Sequence, residues 1–249
     1  MVLLQLARDL SNFVYPPFCV CCREIKEESD AAFCANCEAE LSALADTAAC
    51  RWCASPIPAG SACPFCRGAG IPPFARIAAF APFREPLRKM VHEVKFHHRW
   101  PLAETLAKRM LDQDRVRELL DEADVLVPVP LHWSRQISRG YNQADSLARG
   151  LVRHRRELVV AHPIVRLKNT SAQTMVRSVA DRADNLRFAF GLVDPAPIKG
   201  KRIALVDDVM TTGATLKAAA HALAAASPAG VNAIVLAVAD ARRRDFQAV

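Results

Sequence analysis

The chain has 249 residues, of which 51% are hydrophobic and 24% are charged, and its formal net charge is +7 at pH 7. This length exceeds that of one average domain, and the apolar content is sufficient for a folded core. No apolar run approaches the roughly 20 residues that span a bilayer, so we expect no membrane insertion, and the positive charge favours polyanions without selecting one.

Val2 to Val14 is predicted to form a short amphipathic helix. A secretory signal needs a basic region, a long apolar core and a small-residue cleavage site, and this segment lacks that pattern. We therefore expect a cytoplasmic protein, in which thiols stay reduced and disulfides are uncommon.

All nine cysteines lie at or before Cys66, and eight of them form Cys-x-x-Cys pairs: Cys19 with Cys22, Cys34 with Cys37, Cys50 with Cys53, and Cys63 with Cys66. Two sulfurs at this spacing bind one face of a tetrahedral zinc ion, and a second pair completes the coordination. Four pairs therefore predict two Zn²⁺ sites. Because each site has its full set of ligands, we expect both to be structural, and a module with so few large apolar residues needs them to fold.

The spacing does not decide which pairs share a zinc ion. In a sequential arrangement the first two pairs bind one ion and the last two pairs bind the other, whereas an interleaved arrangement uses the same ligands crosswise. Cys21 is left over. It either replaces Cys19 or Cys22 as a ligand or remains a free thiol that points away from the metal.

Residues 67–73 contain two glycines and two prolines and are predicted to be a linker. We therefore divide the chain into a cysteine-rich domain, residues 1–70, and a second domain, residues 71–249. In the second domain, strands are predicted at 74–80, 124–129, 164–167, 203–206 and 231–239, and helices at 84–97, 102–120 with a break, 141–154 and 214–226. This alternation predicts an α/β fold with a parallel sheet and right-handed crossovers.

Two basic sites in these elements are candidates for phosphate binding. At Pro128 and Val129 a strand ends in a proline-stiffened turn, and Arg135 and Arg139 follow. Planar guanidinium groups match phosphate oxygens better than an ammonium does, so the turn and its arginines are suited to pyrophosphate; the alternative is a solvated basic turn. Lys95, at the end of an amphipathic helix, is either a further cation near phosphate or a surface lysine.

The polar stretch from Lys168 to Asn185 has few anchoring hydrophobic residues and is predicted to be a mobile loop. Closure of such a loop over a charged substrate excludes water and brings in polar side chains, here Gln173 and Arg177. The alternative is an exposed surface loop with a short helix.

Near the carboxyl end of the chain, a buried strand leads into two adjacent acids and a loop of small residues. Ile203 to Val206 is an apolar run typical of a central parallel strand, and Asp207 and Asp208 follow it, where open α/β sheets bind ligands. Adjacent acids point to opposite sides of a strand. The loop that opens the next helix offers hydroxyls, backbone N–H groups and a helix dipole to a phosphate; it consists of Thr211, Thr212, Gly213, Ala214 and Thr215. These features predict a site for a phosphorylated sugar.

This segment resembles the signature that binds phosphoribosyl pyrophosphate (PRPP) in type I phosphoribosyltransferases. The resemblance implies that Asp207 and Asp208 hold the ribose hydroxyls and that the Thr211 to Thr215 loop holds the 5-phosphate. It also implies Mg²⁺ as a cofactor, carried on the pyrophosphate and the sugar and held largely by substrate oxygens.

From Pro16 to Asp240 the chain is similar to the ComF family, in which an amino-terminal double zinc ribbon precedes a phosphoribosyltransferase-like domain. The similarity depends on the four cysteine pairs, Val-Lys-Phe around Lys95, Val-Pro-Val-Pro at 127–130, Arg-Gly-Tyr-Asn-Gln at 139–143, the loop from Gln173 to Asn185, and Val-Asp-Asp-Val-Met-Thr-Thr-Gly-Ala-Thr at 206–215. It implies a parallel sheet of the type I phosphoribosyltransferase kind and a link to competence for DNA uptake or to the handling of single-stranded DNA, with a helicase-like partner.

Three functions are compatible with this sequence. The first is transfer of phosphoribose to an acceptor that the sequence does not identify, with Asp207, Asp208, Gln173 and Arg177 as catalytic residues. The second is sensing of PRPP or a nucleotide without turnover. The third is a nucleic-acid or protein adaptor in which the zinc ribbons and the positive charge bind the partner, and the ribbon aromatics Phe33, Trp52 and Phe65 offer a base-stacking surface.

Overall fold

Five parallel strands form the centre of the fold in the computed structural model, which describes residues 18–26, 32–96, 100–155, 157–168 and 189–239. In chain order the strands are β1 (Ile77–Pro82), β2 (Val125–Pro128), β3 (Val159–Val160), β4 (Ile164–Arg166), β5 (Phe190–Leu192), β6 (Arg202–Met210) and β7 (Gly230–Val238). The helices are α1 (Ala35–Ala45), α2 (Leu87–Phe96), α3 (Trp100–Met110), α4 (Asp114–Glu122), α5 (Trp133–Arg139), α6 (Gln143–Val152) and α7 (Ala214–Ala224).

The main sheet has the strand order β1-β7-β6-β2-β3, and every neighbouring pair in it is parallel. Strand β6 lies at the centre of this order, between β7 and β2. Its residues from Ile203 to Val206 are fully buried because helices cover both faces of the sheet, as their uniformly apolar character predicts. The parallel α/β architecture predicted from the alternation of elements is therefore confirmed.

Two apolar cores lie on opposite faces of the sheet. On one face Ala204 and Val206 of β6 pack with residues of α2, α3, α4 and α6, and on the other face Ile203 and Leu205 pack with α7 and with the small sheet of β4 and β5. Odd-numbered and even-numbered residues of β6 thus enter different cores. Residues that follow in the same strand continue this alternation.

Several elements differ from the sequence predictions. The strand predicted at 164–167 is β4, but it pairs with β5 in a separate antiparallel sheet. Strand β6 runs to Met210, so Asp207 and Asp208 lie within it and not beyond it. The helix predicted at 102–120 is divided into α3 and α4, as its break suggested, and α1, α5, β3 and β5 were not predicted. The helix predicted from Val2 to Val14 lies outside the described residues.

The cysteine-rich segment packs against the α/β unit through its first half. Phe33, Cys37 and Leu41 are buried in the same apolar core as Leu87 and Met90 of α2. The second half has a small core of its own, formed by its four cysteines and bordered by Trp52, Ile57 and Ile71. Among the helices within the described ranges, none is long and apolar enough to cross a bilayer.

Candidate functional site

Asp207 and Asp208 lie in the last four residues of β6 and face opposite sides of the sheet. Asp208 follows the alternation of Ala204 and Val206 toward α2, whereas Asp207 follows Ile203 and Leu205 toward the small antiparallel sheet. The carboxylate of Asp207 accepts a hydrogen bond from the backbone N–H of Asp208, with its Oδ1 2.9 Å from the nitrogen. One acid is therefore tied to the backbone and the other is directed at a different set of side chains.

Asp208 pairs with Lys95, the penultimate residue of α2. The Lys95 Nζ lies 3.3 Å from the Asp208 Oδ2, and the two side chains are only 11% and 15% exposed. Arg139 lies close by: burial lowers the pKa of its guanidinium, and the Asp208 carboxylate opposes that effect. The structure thus brings Lys95 and Arg139, two of the cations predicted to bind phosphate, to the acid predicted to bind ribose.

Asp207 faces a cation that the sequence analysis did not select. Burial and, to a smaller extent, the charge of Asp208 raise the pKa of Asp207 to about 7, although Lys95 and Arg166 oppose the rise. Arg166, in β4, also stacks on Phe190, with its guanidinium carbon 5.5 Å from the ring centroid. Nothing in the local sequence of β4 marks this arginine, because its proximity to Asp207 arises from the packing of two distant strands.

Arg135 connects the two halves of this charged cluster. Its charge adds to burial in lowering the pKa of Arg139 on one side and the pKa of Arg166 on the other. Two carboxylates are therefore accompanied by four cations, which are Lys95, Arg135, Arg139 and Arg166. The local excess of positive charge suits a ligand with several phosphate groups.

The loop after β6 leads directly into α7. Gly213 adopts a left-handed backbone (φ 74°), which a residue with a Cβ rarely adopts, and it is the residue before the helix. No side chain caps α7 there, although Thr212 Oγ1 accepts a hydrogen bond from the N–H of Ala214, 3.3 Å away. The first turn of α7, which includes Thr215, therefore offers N–H groups and the positive end of its dipole to an anion.

The turn after β2 is held by the protein itself. The N–H of Val129 donates a hydrogen bond to the Val206 carbonyl at 2.9 Å. The carbonyl of Val129 accepts a hydrogen bond from the Asn142 side chain at 3.0 Å. Pro128 pairs with Val206 in the sheet. Val129 thus follows a strand that pairs with β6, but both of its backbone groups are engaged within the protein and neither is left for an anion.

The Arg-Gly-Tyr-Asn-Gln segment links α5 to α6 beside the acids. Gly140 ends α5 with a left-handed backbone, and Asn142 caps α6 by accepting from the Ala144 N–H at 3.0 Å. Gln143 is 1% exposed, and its Oε1 accepts from the Arg139 Nη1 at 3.4 Å. These contacts fix the start of α6 and support the orientation of Arg139. Gln173 and Arg177, the other predicted catalytic residues, lie outside the described residues.

The eight paired cysteines form two compact tetrads. Cys19, Cys22, Cys34 and Cys37 make up the first, Cys50, Cys53, Cys63 and Cys66 make up the second, and within each tetrad all sulfurs lie within 4.8 Å of one another. The Cys22 and Cys34 sulfurs are 3.6 Å apart, as are those of Cys53 and Cys63. A zinc ion with bonds of about 2.3 Å to four sulfurs requires similar separations, so both tetrads fit Zn²⁺. The pairing is sequential, not interleaved.

Each tetrad contains one sulfur whose surroundings favour the thiolate that zinc requires. Burial opposes ionisation of Cys19, but N–H groups of Cys22, Cys34 and Cys21 lower its pKa to about 6. In the second tetrad burial likewise opposes ionisation of Cys63, and N–H groups of Cys66 and Phe65 lower its pKa to about 7. Inward-pointing N–H groups of this kind are typical of Cys-x-x-Cys turns that bind a metal.

Cys21 belongs to neither tetrad. Its side chain packs at the edge of the core near α2, with its sulfur 3.9 Å from the carbonyl oxygen of Pro86. Burial raises the pKa of its thiol. The structure therefore groups Cys19 and Cys22, and not Cys21, with the second cysteine pair, and the free thiol at Cys21 stays a prediction.

The aromatic side chains predicted to stack on bases in the ribbons are arranged differently. Phe33 is buried in the main core, and Trp52 is half-buried beneath the guanidinium of Arg51, 4.9 Å from its ring centroid. Phe65 alone of the three is exposed. More exposed aromatics occur on the α/β unit, at Phe96, Trp100 and Trp133.

Two protein families match the chain. The phosphoribosyl transferase domain matches residues 102–248, and the double zinc ribbon domain matches residues 10–67. The first match contains the acid pair, the loop before α7 and three of the four clustered cations. The second contains both cysteine tetrads.

The curated relatives that are similar to the chain include three from different bacteria. It is 37% identical to competence protein F of Haemophilus influenzae over 58% of its own length and 65% of the relative's, and 33% identical to DNA utilization protein YhgH of Escherichia coli over 61% and 67%. It is 34% identical to competence protein ComFC of Bacillus subtilis over 41% and 39%. The matched region thus spans at most about two thirds of each relative.

Proposed function

Since the chain belongs to the ComF family, with a double zinc ribbon ahead of a phosphoribosyl transferase domain, we propose that it binds PRPP with Mg²⁺ and transfers the phosphoribosyl group to a nitrogenous acceptor. The names of the relatives, which refer to competence and DNA utilization, support a role for this activity in the uptake or use of DNA. The reduced thiols that the two tetrads require favour the cytoplasm as its location.

The arrangement of charge at the end of β6 carries this proposal. A diol is bound by acceptors, and a diphosphate is bound by cations and N–H groups, so PRPP needs both kinds of group within a few ångströms. Asp207 and Asp208 supply the acceptors, and Lys95, Arg139 and Arg166 lie beside them. The uncapped start of α7 adds a third element, suited to the 5-phosphate.

Each part of PRPP then has a place. We assign the ribose hydroxyls to the two acids, the 5-phosphate to Thr211, Thr212, Gly213, Ala214 and Thr215, and the pyrophosphate to Arg135 and Arg139. Asp207 and Asp208 would be the protein groups nearest to Mg²⁺ carried by the substrate, and the ion would neutralise charge on the pyrophosphate. Lys95, held beside Asp208, adds a further cation for the phosphates.

In the transfer itself the bond from the ribose C1 to the pyrophosphate oxygen breaks, and a bond from C1 to the acceptor nitrogen forms. The bonding pair leaves with the pyrophosphate, and the acceptor loses a proton to solvent or to a nearby base. The protein contributes by positioning the two reactants and by stabilising the charge on the leaving group through Arg135 and Arg139. We assign closure over the substrate to the loop that carries Gln173 and Arg177.

Release of pyrophosphate tests the proposal. The protein is mixed with Mg²⁺, PRPP and a panel of nitrogenous bases, and pyrophosphate is measured over time. The wild type is expected to release it with at least one base, and Asp207→Asn is expected to reduce release to background. Asp112→Asn, the same change on an exposed side chain that contacts Arg109, serves as the matched control and should keep full activity. Binding of PRPP without release from any base would favour a sensor over an enzyme.

A second candidate function is an adaptor for single-stranded DNA, and the exposed aromatics favour it. Phe96, Trp100 and Trp133 are 54%, 53% and 66% exposed, and Arg139 stacks on Phe96 at 5.1 Å. Exposed rings among cations are what bases stack on in single-strand binding proteins. Salt-dependent binding of an oligonucleotide, weakened by Trp133→Ala, would support this function, in which a helicase-like protein is the expected partner.

A further inference from the structure

The last turn of α2 connects the first cysteine tetrad to the acid pair. Its four residues, Glu93 to Phe96, each contact a different part of the molecule. Glu93 faces the cysteine-rich segment, and the other three face the candidate PRPP site. Such an arrangement makes this turn a mechanical link between two regions that are far apart in sequence.

The contact on the ribbon side begins at the metal-binding turn. Arg23 directly follows Cys22, adopts a left-handed backbone (φ 67°), and its N–H donates to the Cys19 carbonyl at 3.0 Å. The position of its backbone is therefore set by the Cys-x-x-Cys turn that the metal holds. From there its Nη2 lies 2.6 Å from the Glu93 Oε1, and the Glu93 side chain is only 13% exposed. A close ion pair with one shielded partner holds its geometry better than a fully exposed pair.

The contacts on the site side come from the next three residues. The carbonyl of Val94 accepts a hydrogen bond from the hydroxyl of Tyr141. Lys95 pairs with Asp208 at 3.3 Å, and Phe96 lies under the guanidinium of Arg139. A shift of this turn thus changes the surroundings of an acid and of two cations at once.

We propose that the Arg23–Glu93 ion pair positions the last turn of α2, so that the first zinc centre sets the distance between Lys95 and Asp208. Arg23 and Glu93 are positioning residues that act through Lys95 and touch no substrate. The effect on ligand affinity rests on the proposed function, because it is the affinity for PRPP that is expected to depend on the Lys95–Asp208 distance. The zinc ribbon then supports the geometry of the sugar-phosphate site and is not only a separate docking module.

Three variants separate this role from general stability. Glu93→Gln removes the ion pair and keeps the size of the side chain. The double variant Arg23→Glu, Glu93→Arg reverses the pair and restores the attraction. Glu38→Gln is the matched control, because Glu38 joins the same ribbon to Arg109 of α3 at 2.5 Å, and α3 does not carry Lys95.

Two measurements are made on each variant after its zinc content has been confirmed. The first is the affinity for Mg²⁺ and PRPP by calorimetry. The second, which needs no ligand, is hydrogen exchange at the amides of residues 93–96 and 207–210. Glu93→Gln is expected to weaken PRPP binding by about fivefold or more and to speed exchange at both segments, because coupled sites commonly differ by that factor. The reversed pair should recover most of both effects, and Glu38→Gln should change neither.

The proposal is overturned if Glu93→Gln matches the wild type in both measurements, if Glu38→Gln has an equal effect, or if the reversed pair recovers nothing. Absence of PRPP binding by the wild type would remove the proposed function alone. In that case the exchange measurement still decides the positioning role, since faster exchange confined to Glu93→Gln supports it and unchanged exchange contradicts it.

Discussion

The carboxyl group of Asp207 lies in surroundings that disfavour its charge. Burial and the neighbouring Asp208 raise its pKa to about 7, from an ordinary value of about 4. A carboxylate with this environment reduces the stability of the folded protein above the ordinary pKa of the group. Residues that reduce stability in this way are concentrated at functional sites, where binding a ligand compensates for them.

The substitution Asp207→Asn is therefore expected to stabilise the protein without ligand. The folded state of the wild type binds a proton more tightly than the unfolded state, so its stability falls as pH rises from about 4 to about 7. The asparagine variant lacks that loss. In urea denaturation at pH 8, the asparagine variant should be more stable than the wild type by about 1–2 kcal/mol. This is less than the full pKa shift corresponds to, because the site is partly hydrated. At pH 5.5 the difference in stability should be smaller. A pH-independent difference, or a less stable variant, would contradict this account.

At the scale of single residues, the sequence predicted a site at the acid pair and the loop before α7 because both lie in one continuous segment. It did not identify Arg166, whose approach to Asp207 depends on the packing of β4 against the main sheet. It also could not show that Lys95 pairs with Asp208, since these residues are 113 positions apart. Contacts between distant segments follow from the fold and leave no local signal.

Helices α3 and α6 approach each other unusually closely at Gly150. A Cβ added there would lie 2.6 Å from the Cβ of Ala107, which is shorter than any ordinary contact between two carbons. Glycine inside a helix lowers its stability, so its presence in α6 is explained by this contact and not by helix propensity.

Gly150→Ala is expected to destabilise the protein by about 1–3 kcal/mol, although alanine is the better helix former, because the two helices must move apart. The double variant Gly150→Ala, Ala107→Gly exchanges the two side chains across the contact and should be more stable than Gly150→Ala alone. Chemical denaturation of the three proteins measures both effects. Equal stability of the single and double variants would show that the clash is relieved in another way.

The two tetrads predict different results for neighbouring cysteines. Cys22→Ser should lower the zinc content from two ions per chain to one, because a serine hydroxyl does not replace a thiolate ligand at neutral pH. Cys21→Ser, one residue away, should keep both ions. Elemental analysis of the purified proteins measures the content. Loss of zinc from the Cys21 variant would mean that this thiol is a ligand after all.

At the scale of elements, apolar runs predicted the four long strands of the sheet well. The run from Ile203 to Val206 underestimated β6, since Asp207 and Asp208 are polar but still follow strand geometry. Strand β3 has only two residues, which is too short for any periodicity to be recognised, and β5 has a glycine between its two apolar residues. Helix α5 was missed because it has only seven residues and none of them is buried, so its two large apolar side chains, Trp133 and Ile137, are exposed.

For the molecule as a whole, the cysteine-rich segment and the α/β unit share a core. Arg115 of α4 strengthens this connection, since its guanidinium donates to the carbonyls of Ala45 and Thr47 on one side and Phe80 of β1 on the other. The division into residues 1–70 and 71–249 stays a prediction. Because the two parts share a core, we expect a change in the first zinc centre to alter the surroundings of the acid pair.

The central claim is that the acids of β6 bind an activated, phosphorylated pentose. Calorimetric titration of Mg²⁺ and PRPP into the wild type and Asp208→Asn tests it most directly, with Asp112→Asn as the matched control and zinc content measured for all three. The account predicts that the wild type and the control bind PRPP and that Asp208→Asn binds it at least about tenfold more weakly, because a largely buried acceptor for the ribose hydroxyls is lost. Each of the three proteins should contain two zinc ions. No binding by the wild type, or equal binding by Asp208→Asn, would contradict it.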